Sequence, residues 1–482
     1  MDQILDDIPL PIPVGSGEVL PVVALGASAV VPATGASEPQ RRTPSLTVSA
    51  DANRFDADTP APGETFFPRE PSTLEEAGLS QGEVEALILK YLLDANAATG
   101  RRIADQLKLS YVVVKDVLVG LRSQMLVGYK ASAPMSDYEY ELCGAGIERA
   151  RWLSQRCTYY GAAPVSLDDY SRSVRWQSLR RARATLADFR RALSDLYVAP
   201  AMLSQLGQAV RTSQGLLLYG ASGNGKTSIA ERLLRAIDTP IWIPRTVSVG
   251  GEIVRVFDPS YHVPVADGGD DAPRSADLAD KRWIRVRRPT IIVGAELTPE
   301  QLEFTTHEAT GINESALQIK SNGGVLVIDD LGRHRVGTDE LLNRCVVPLE
   351  KGYDYMRLPS GRKVPFPFDQ LLVLCTNREP TRLLDDAFLR RIAFKIEVFD
   401  PTVDEFVDTL QRLCARMGLA YREQAVRHLV ANHFVRAERP LRFGYAGALL
   451  RQVQSYCLFH DRPLEVTEET LDVAVKNYFG SL

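Results

Sequence analysis

The chain has 482 residues, 45% hydrophobic, room for two or three domains with sizeable cores, and its 56 Lys and Arg against 61 Asp and Glu leave a net charge of −5 that offers no global basic surface to nucleic acid. Its six cysteines (Cys143, Cys157, Cys345, Cys375, Cys414, Cys457) are scattered without a Cys-x-x-Cys pair, which argues against a zinc site and a disulfide framework and suits a reducing cytosol. No apolar run approaches membrane-spanning length, and the acidic start (Asp2, Asp6, Asp7) lacks the Lys or Arg of a secretory signal, so a cytoplasmic protein without a membrane partner is expected.

Residues 1–75 read as a disordered tail. Eleven of the 29 prolines fall in the first 71 residues, among Ala, Gly, Ser and Thr, with little helical periodicity. Order begins near Leu79. Ser80-Gln81-Gly82-Glu83 is a capping box, followed by Val84, Leu87, Ile88, Tyr91 and Leu92 on one helical face. A second helix, Arg101 to Leu107, is capped by Thr99. A third runs from Ser110 to about Met125 with Val113, Val117, Leu118 and Leu121 inward. Strand-like Leu126–Lys130 and Tyr138–Leu142 flank a turn at Pro134–Asp137. Three helices and a two-stranded wing predict a winged helix-turn-helix over 76–156. Between Ser80 and Arg156 there are 10 Lys and Arg against 9 Asp and Glu, and the third helix opens with Tyr111, Val112 and Val114. Base-reading side chains there would be polar or basic, so protein docking is favoured over DNA.

Residues 157–200 read as a linker with a basic helix; 171–191 hold seven arginines and one acid, Asp188. Next comes the most informative segment. The apolar run Leu216–Tyr219 leads into Gly220-Ala221-Ser222-Gly223-Asn224-Gly225-Lys226-Thr227-Ser228 and then a helix-like stretch. Strand, glycine-rich loop and helix ending in Gly-Lys-Thr form the P-loop pattern. Successive backbone N–H groups wrap a polyphosphate, the helix N-terminus adds partial positive charge, and Lys226 adds a full one. Thr227 is placed to ligate Mg²⁺ through its hydroxyl. ATP and Mg²⁺ are the expected ligands.

From Leu203 to about Asp400, strand-like and helical runs alternate, implying a parallel sheet with helices on its faces. Val325–Asp330 is a buried strand ending in two carboxylates: Asp329 to share the metal with Thr227, and Asp330 to polarise the attacking water. Leu371–Asn377 is another, ending in an amide that can orient that water. Asp386–Arg391 then places two guanidiniums, Arg390 and Arg391, at a helix end.

In this order the motifs resemble Walker A, Walker B, sensor 1 and the arginine finger of AAA+ ATPases, across residues 200–480. Asn322-Gly323-Gly324 and a hairpin over 354–368, turning at Pro359–Gly361, are similar to the pre-sensor-1 hairpin clade that includes MoxR-type ATPases. The whole chain also resembles a bacterial AAA+ group with an N-terminal winged helix, through Tyr160–Val165, Asp329–Arg333 and Ala387–Ile392. The resemblance implies an α/β core over 201–400 and an α-helical lid over 401–482. It also implies arginine fingers acting on a neighbouring subunit, in a homo-oligomeric, hexameric ring. Lid helices are expected from Pro401-Thr402 onward and near Gln424–Phe434, Gly447–Tyr456 and Glu468–Phe479.

Two departures from the family pattern bear on rate. Asp330 stands where most members carry Glu, and is shorter by one C–C bond, about 1.5 Å. A misplacement of about 1 Å costs on the order of 100-fold, so slow hydrolysis is expected. At the start of the third lid helix the usual arginine is missing, and Arg442 lies five residues before Gly447 as a substitute. Three functions fit this inventory: a ring ATPase that remodels a protein client, an ATP-regulated DNA-binding protein, and a slow ATP-dependent scaffold or switch.

Overall fold

The computed structural model describes residues 64–265, 279–334 and 337–480. The tail expected over 1–75 lies outside them apart from its last residues. The described residues belong to one compact unit.

The N-terminal module opens with α1 (Gln81–Ala95), whose capping box forms as expected: the Glu83 amide donates to Ser80 Oγ at 3.3 Å and the Ser80 amide donates to Glu83 Oε2 at 2.9 Å. β1 (Ala97–Thr99) leads to α2 (Gly100–Leu107) and α3 (Tyr111–Ser123), N-capped by Thr99 and Ser110. β2 (Val127–Ala133) and β3 (Asp137–Leu142) form the hairpin, and β1 joins β3 on its other side. The expected inward residues of α1 and α3 are all buried. α4 (Gly144–Arg156) closes the module. It crosses so near the end of α3 that a Cβ on Gly146 would meet the Leu126 carbonyl at 1.9 Å.

The stretch expected to be a linker is built into the body instead. β4 (Val165–Ser166) pairs with a strand of an inserted sheet, and α5 (Leu167–Trp176), a short 3₁₀ turn at Leu179–Arg181 and α6 (Leu186–Ala192) break up the expected basic helix. Leu179, Phe189 and Leu193 are buried in the same apolar cluster as Leu216 and Leu218. α7 (Pro200–Thr212) follows, with proline at its first position, where a missing N–H costs nothing. A buried guanidinium ties module to body. Arg282 forks onto Asp280, and its Nη1 donates to the carbonyls of Ala77 (2.8 Å) and Pro164 (3.0 Å). Nearby, Ser248 Oγ donates to Glu83 Oε1 at 2.6 Å.

β5 (Leu216–Tyr219) enters the glycine-rich loop and α8 (Lys226–Arg232). An insertion then precedes the next core strand: β6 (Ile241–Pro244), β7 (Thr246–Val249), β8 (Glu252–Arg255) and β9 (Trp283–Val286). The remaining elements are β10 (Thr290–Val293), β11 (Thr305–His307), β12 (Ile312–Glu314), α9 (Leu317–Lys320), β13 (Val325–Ile328) and α10 (Thr338–Lys351). After them come the expected hairpin β14 (Tyr353–Arg357) and β15 (Lys363–Pro367), then β16 (Leu371–Thr376), α11 (Pro380–Leu383), α12 (Asp386–Leu389) and β17 (Phe394–Glu397).

Five strands form the central sheet in the order β10-β13-β16-β5-β17, all parallel. Alternate residues serve its two faces, as strand geometry requires. Leu216 and Leu218 pack on one side with Val325, Val327 and Ile229. Leu217 packs on the other with Leu326, Ile328, Leu342 and Phe388. A second sheet, β11-β12-β8-β7-β4, comes from the insertion and the former linker. The β7–β8 connection is Gly250-Gly251 with φ of 60° and 85°, the two positive angles a tight hairpin needs.

The C-terminal region is all helical. α13 (Val403–Met417) starts from a Thr402–Glu405 capping box. α14 (Glu423–His428) runs into a π-helical turn, Leu429–Val435, and α15 (Phe443–Phe459) and α16 (Glu468–Phe479) complete the bundle. The parallel α/β sheet with its glycine-rich loop after β5, followed by a helical C-terminal region, is the architecture expected from the motifs. Among the described residues no helix is long and apolar enough to cross a membrane.

Candidate active site

The loop between β5 and α8 is shaped by glycines that nothing else could replace. Gly220 has φ of 133°, and a Cβ there would stand 2.4 Å from the Val398 carbonyl; Gly223 and Gly225 have φ of 89° and 86°. Lys226 folds back under the loop, only 8% exposed, and its Nζ donates to the carbonyls of Gly220 (2.9 Å) and Ala221 (3.0 Å). Burial holds its ammonium below the ordinary lysine value, while the Asp329 and Asp330 carboxylates pull the other way. A phosphate entering this cradle would restore the proton's advantage.

Thr227 Oγ1 donates to Asp329 Oδ2 at 2.6 Å, so the hydroxyl and carboxylate proposed for the metal already meet. A hydroxyl and a carboxylate are the hard oxygen donors that Mg²⁺ takes, beside solvent and phosphate oxygens. The other Asp329 oxygen, Oδ1, accepts the Asp330 amide at 2.9 Å. That bond accompanies an unusual backbone: Asp330 has φ of 51°, left-handed for a non-glycine residue. Its half-exposed side chain lies 4.0 Å from the Arg333 guanidinium. Asn377 follows the end of β16, the strand between β5 and β13. The two carboxyl-terminal ends are tied together, since the Leu331 amide donates to the Cys375 carbonyl (2.8 Å) and Thr376 Oγ1 to the Leu331 carbonyl (3.1 Å). Phosphate loop, acidic pair and amide thus share one edge of the sheet.

The two arginines differ. Arg391 is held within its own subunit, with Nε on Glu350 Oε1 at 2.6 Å and Nη1 on the Ala387 carbonyl at 2.7 Å. Arg390 is exposed, and its side chain has no hydrogen bond or ion pair among the described residues. Neither bonds to the phosphate loop.

Several site residues carry no sequence motif. Asp400, just past β17, accepts the Asn224 amide (Nδ2 to Oδ1, 2.6 Å) and pairs with Arg442. The Phe443 amide reaches Asn224 Oδ1 at 3.4 Å, and the Gly444 amide donates to the Gly223 carbonyl at 2.8 Å. The start of α15 is therefore fastened directly to the loop, and Arg442, the suggested substitute for the missing lid arginine, lies beside Lys226. A cavity of about 280 Å³ opens between the loop, α13 and α15. Tyr197 and Phe443 stack across one wall, with centroids 5.4 Å apart and planes 18° from parallel. The cavity suits a planar base next to a phosphate cradle. His334 is a further neighbour: burial lowers its imidazole's proton affinity, while Glu296, Asp330 and Asp329 pull the other way. Tyr197, Asp400 and His334 escape a sequence reading because each is a lone residue in a connection between elements, outside any fixed spacing.

A family model described only as a domain of unknown function, DUF8689, matches residues 402–477, the helical region alone. No curated protein matches the sequence. Among solved structures, NtrX from Brucella abortus is 14% identical, with a TM-score of 0.35 over 60% of this chain and 59% of that one. NtrX of the same organism in complex with ADP is 14% identical, with a TM-score of 0.35 over 69% and 66%. A mutant of RuvB from Thermotoga maritima is 14% identical, with a TM-score of 0.34 over 62% and 72%. The chain thus spans about three fifths of the first NtrX structure's length. Likeness at this level decides nothing about the site.

Proposed function

We propose that the chain is a Mg²⁺-dependent ATPase that hydrolyses ATP slowly and works as a ring of identical subunits, six by the family resemblance, to remodel a protein complex. The observation that carries the reading is the Thr227–Asp329 hydrogen bond beside a buried Lys226, on a loop whose Gly223 to Gly225 line a cavity against α13 and α15. Gly220 to Ser228 would cradle the phosphates, and Thr227 and Asp329 would hold the metal, which neutralises developing charge on the phosphate oxygens when bound. Asp330 would accept the water's proton and Asn377 would orient that water. The half-exposed position of Asp330, its left-handed backbone and its arginine neighbour all favour slow turnover, so a switch-like role remains compatible with the same site.

Ring assembly is supported by Arg390. A group that stabilises a phosphate across a subunit boundary must be exposed and unengaged in the isolated chain, and Arg390 is both. Arg391 would position the α12 end. For the client, the N-terminal module's third helix exposes Val112 (65%) and Val119 (54%), and its hairpin tip exposes Met135 (79%). Apolar exposure on the element that would read bases favours a protein surface over DNA. The test mixes Lys226→Ala subunits, which keep their fingers, with Arg390→Ala subunits, which keep their phosphate loop. Turnover should reappear in the mixture and rise with protein concentration. Concentration-independent turnover by a monomer rules the ring out.

A further inference from the structure

Away from the nucleotide site, the lid bundle gathers two histidines and two acids on one patch of its surface. His428 ends α14, His433 lies in the π-helical turn, and Glu468 and Asp472 lie on α16. Asp472 Oδ1 is 3.0 Å from His428 Nε2 and 2.5 Å from His433 Nε2. One ligand atom from each of these three residues lies within 4.8 Å of the others. Glu468 brings Oε2 to 3.8 Å from His428 Nδ1, and the Asn432 amide sits 2.9 Å from the same nitrogen.

The backbone explains why these side chains meet. Five steps along an α-helix turn a residue by about 500°, which leaves positions five apart on diverging faces about 140° from each other. His428 and His433 are five apart and still converge on one oxygen. The wider π turn over Leu429–Val435 makes this possible; the Arg436 amide bonds the Ala431 carbonyl, five residues back, at 2.9 Å. Such turns are rare, and recur where a functional side chain must be re-aimed. Glu468 and Asp472, four apart on α16, share a face by ordinary helical geometry.

We propose that His428, His433 and Asp472 form a binding site for a divalent transition-metal cation of the zinc class, with Glu468 as outer partner or fourth ligand. Two imidazole nitrogens and a carboxylate oxygen are the donor types such ions take, at about 2.0–2.2 Å. Ligand atoms around a tetrahedral ion stand about 3.3 Å apart at those bond lengths. The observed 2.5 and 3.0 Å separations would open by about 0.8 and 0.3 Å to reach that value. In the absence of the ion, both Nε2–H groups donate to Asp472, whose carboxyl is pulled below its ordinary value by these bonds although burial opposes it. Ion binding moves each imidazole proton to Nδ1. For His428 the acceptor is the Glu468 carboxylate, 3.8 Å from Nδ1, while the Asn432 Nδ2 donor, 2.9 Å from the same nitrogen, turns its amide oxygen inward instead, an outer-shell arrangement of the kind that orients metal-bound histidines. None of these residues lines the nucleotide cavity. The ion would fasten the α14–π segment to α16 and act as a structural pin of the lid. The scattered cysteines argued against zinc; here the donors are histidine and aspartate, on spacings that fit no sequence motif.

The experiment uses the full chain, stripped with a chelator, desalted, and titrated calorimetrically with zinc chloride in the absence of nucleotide. One equivalent per chain should bind with micromolar affinity or better and raise the melting temperature. The His428→Gln/His433→Gln variant keeps amide donors for Asp472 but loses both imidazoles, and should lose the equivalent and the thermal shift. Glu468→Gln should bind about 10–100-fold more weakly, as outer-shell changes do. If the double variant fails to fold, Asp472→Asn, isosteric and still able to hydrogen-bond, makes the same comparison. Absence of saturable zinc binding by the wild type overturns the proposal, as does an undiminished equivalent in the folded variant, which would place the ion elsewhere.

Discussion

Substituting Gly444 tests the joint between the phosphate loop and the lid. A Cβ at Gly444 would stand 2.8 Å from the Gly223 carbonyl oxygen, 0.6 Å inside an ordinary 3.4 Å contact. The obstructing atom is backbone in a loop whose angles only glycine tolerates, so the start of α15 has to move instead. Such overpacking costs about 1–3 kcal/mol. The displaced Gly444–Gly223 hydrogen bond forfeits about 0.5–1.5 kcal/mol more. Against this, alanine gains up to about 1 kcal/mol of helix propensity over glycine. The contact wins, by about 1–3 kcal/mol. Charged against the closed joint that nucleotide requires, that is a loss of up to about 5–150-fold in ATP affinity. Titration of Gly444→Ala with a fluorescent ATP analogue reads it directly. Gly447→Ala on the same helix is the stability control: its Cβ would meet only the mobile end of Arg451 at 3.4 Å and Leu413 at 3.9 Å, so its melting temperature should hold or rise. Wild-type nucleotide affinity and melting temperature in Gly444→Ala would refute the idea that the lid is seated on the loop.

Lys226→Ala should leave a folded chain that no longer binds ATP by isothermal titration, because the one buried cation under the loop is gone. Asp330→Asn should bind ATP normally and arrest its hydrolysis in a phosphate-release assay, whereas Asp330→Glu should raise turnover if side-chain length limits the rate. Arg391→Ala should lower the melting temperature by losing its Glu350 and Ala387 contacts, while Arg390→Ala should leave it unchanged and remove turnover. A filter-binding series on random duplex DNA should show weak association that collapses with salt, because a module carrying nearly equal numbers of each charge neutralises few phosphates.

The candidate site was legible wherever chemistry demands a fixed spacing along the chain. Gly220 to Thr227 must be contiguous to wrap a phosphate, and Asp329, Asp330 and Asn377 must end apolar strands, so each announces itself. The helices with capped starts at Ser80 and Thr402 were equally plain. What escaped depends on long-range contact. β1 is only Ala97–Thr99, with no β-branched run to mark it until β3 supplies its partner. The insertion's strands of three or four residues are too short for period two to register. Residues 157–200 look polar and arginine-rich, yet Leu179 and the single i, i+4 pair Phe189 and Leu193, too sparse to mark a buried face, anchor that segment under the central sheet. The cavity beside the loop is walled by Tyr197 and Phe443, far apart in the sequence, and no local pattern links them.

The buried Arg282 has a mechanical consequence. One guanidinium, 3% exposed, holds the chain just before α1, the segment leading into β4 and its own loop carboxylate at the same time. Breaking the Asp280 pair would strand a buried charge, at a cost of several kcal/mol, and losing either carbonyl would forfeit a hydrogen bond to a charged group, about 1.5–3 kcal/mol. The N-terminal module is thus welded to the α/β body as a rigid lever. Whatever grips its outer face travels the full path of that body, degree for degree, with no slack in between.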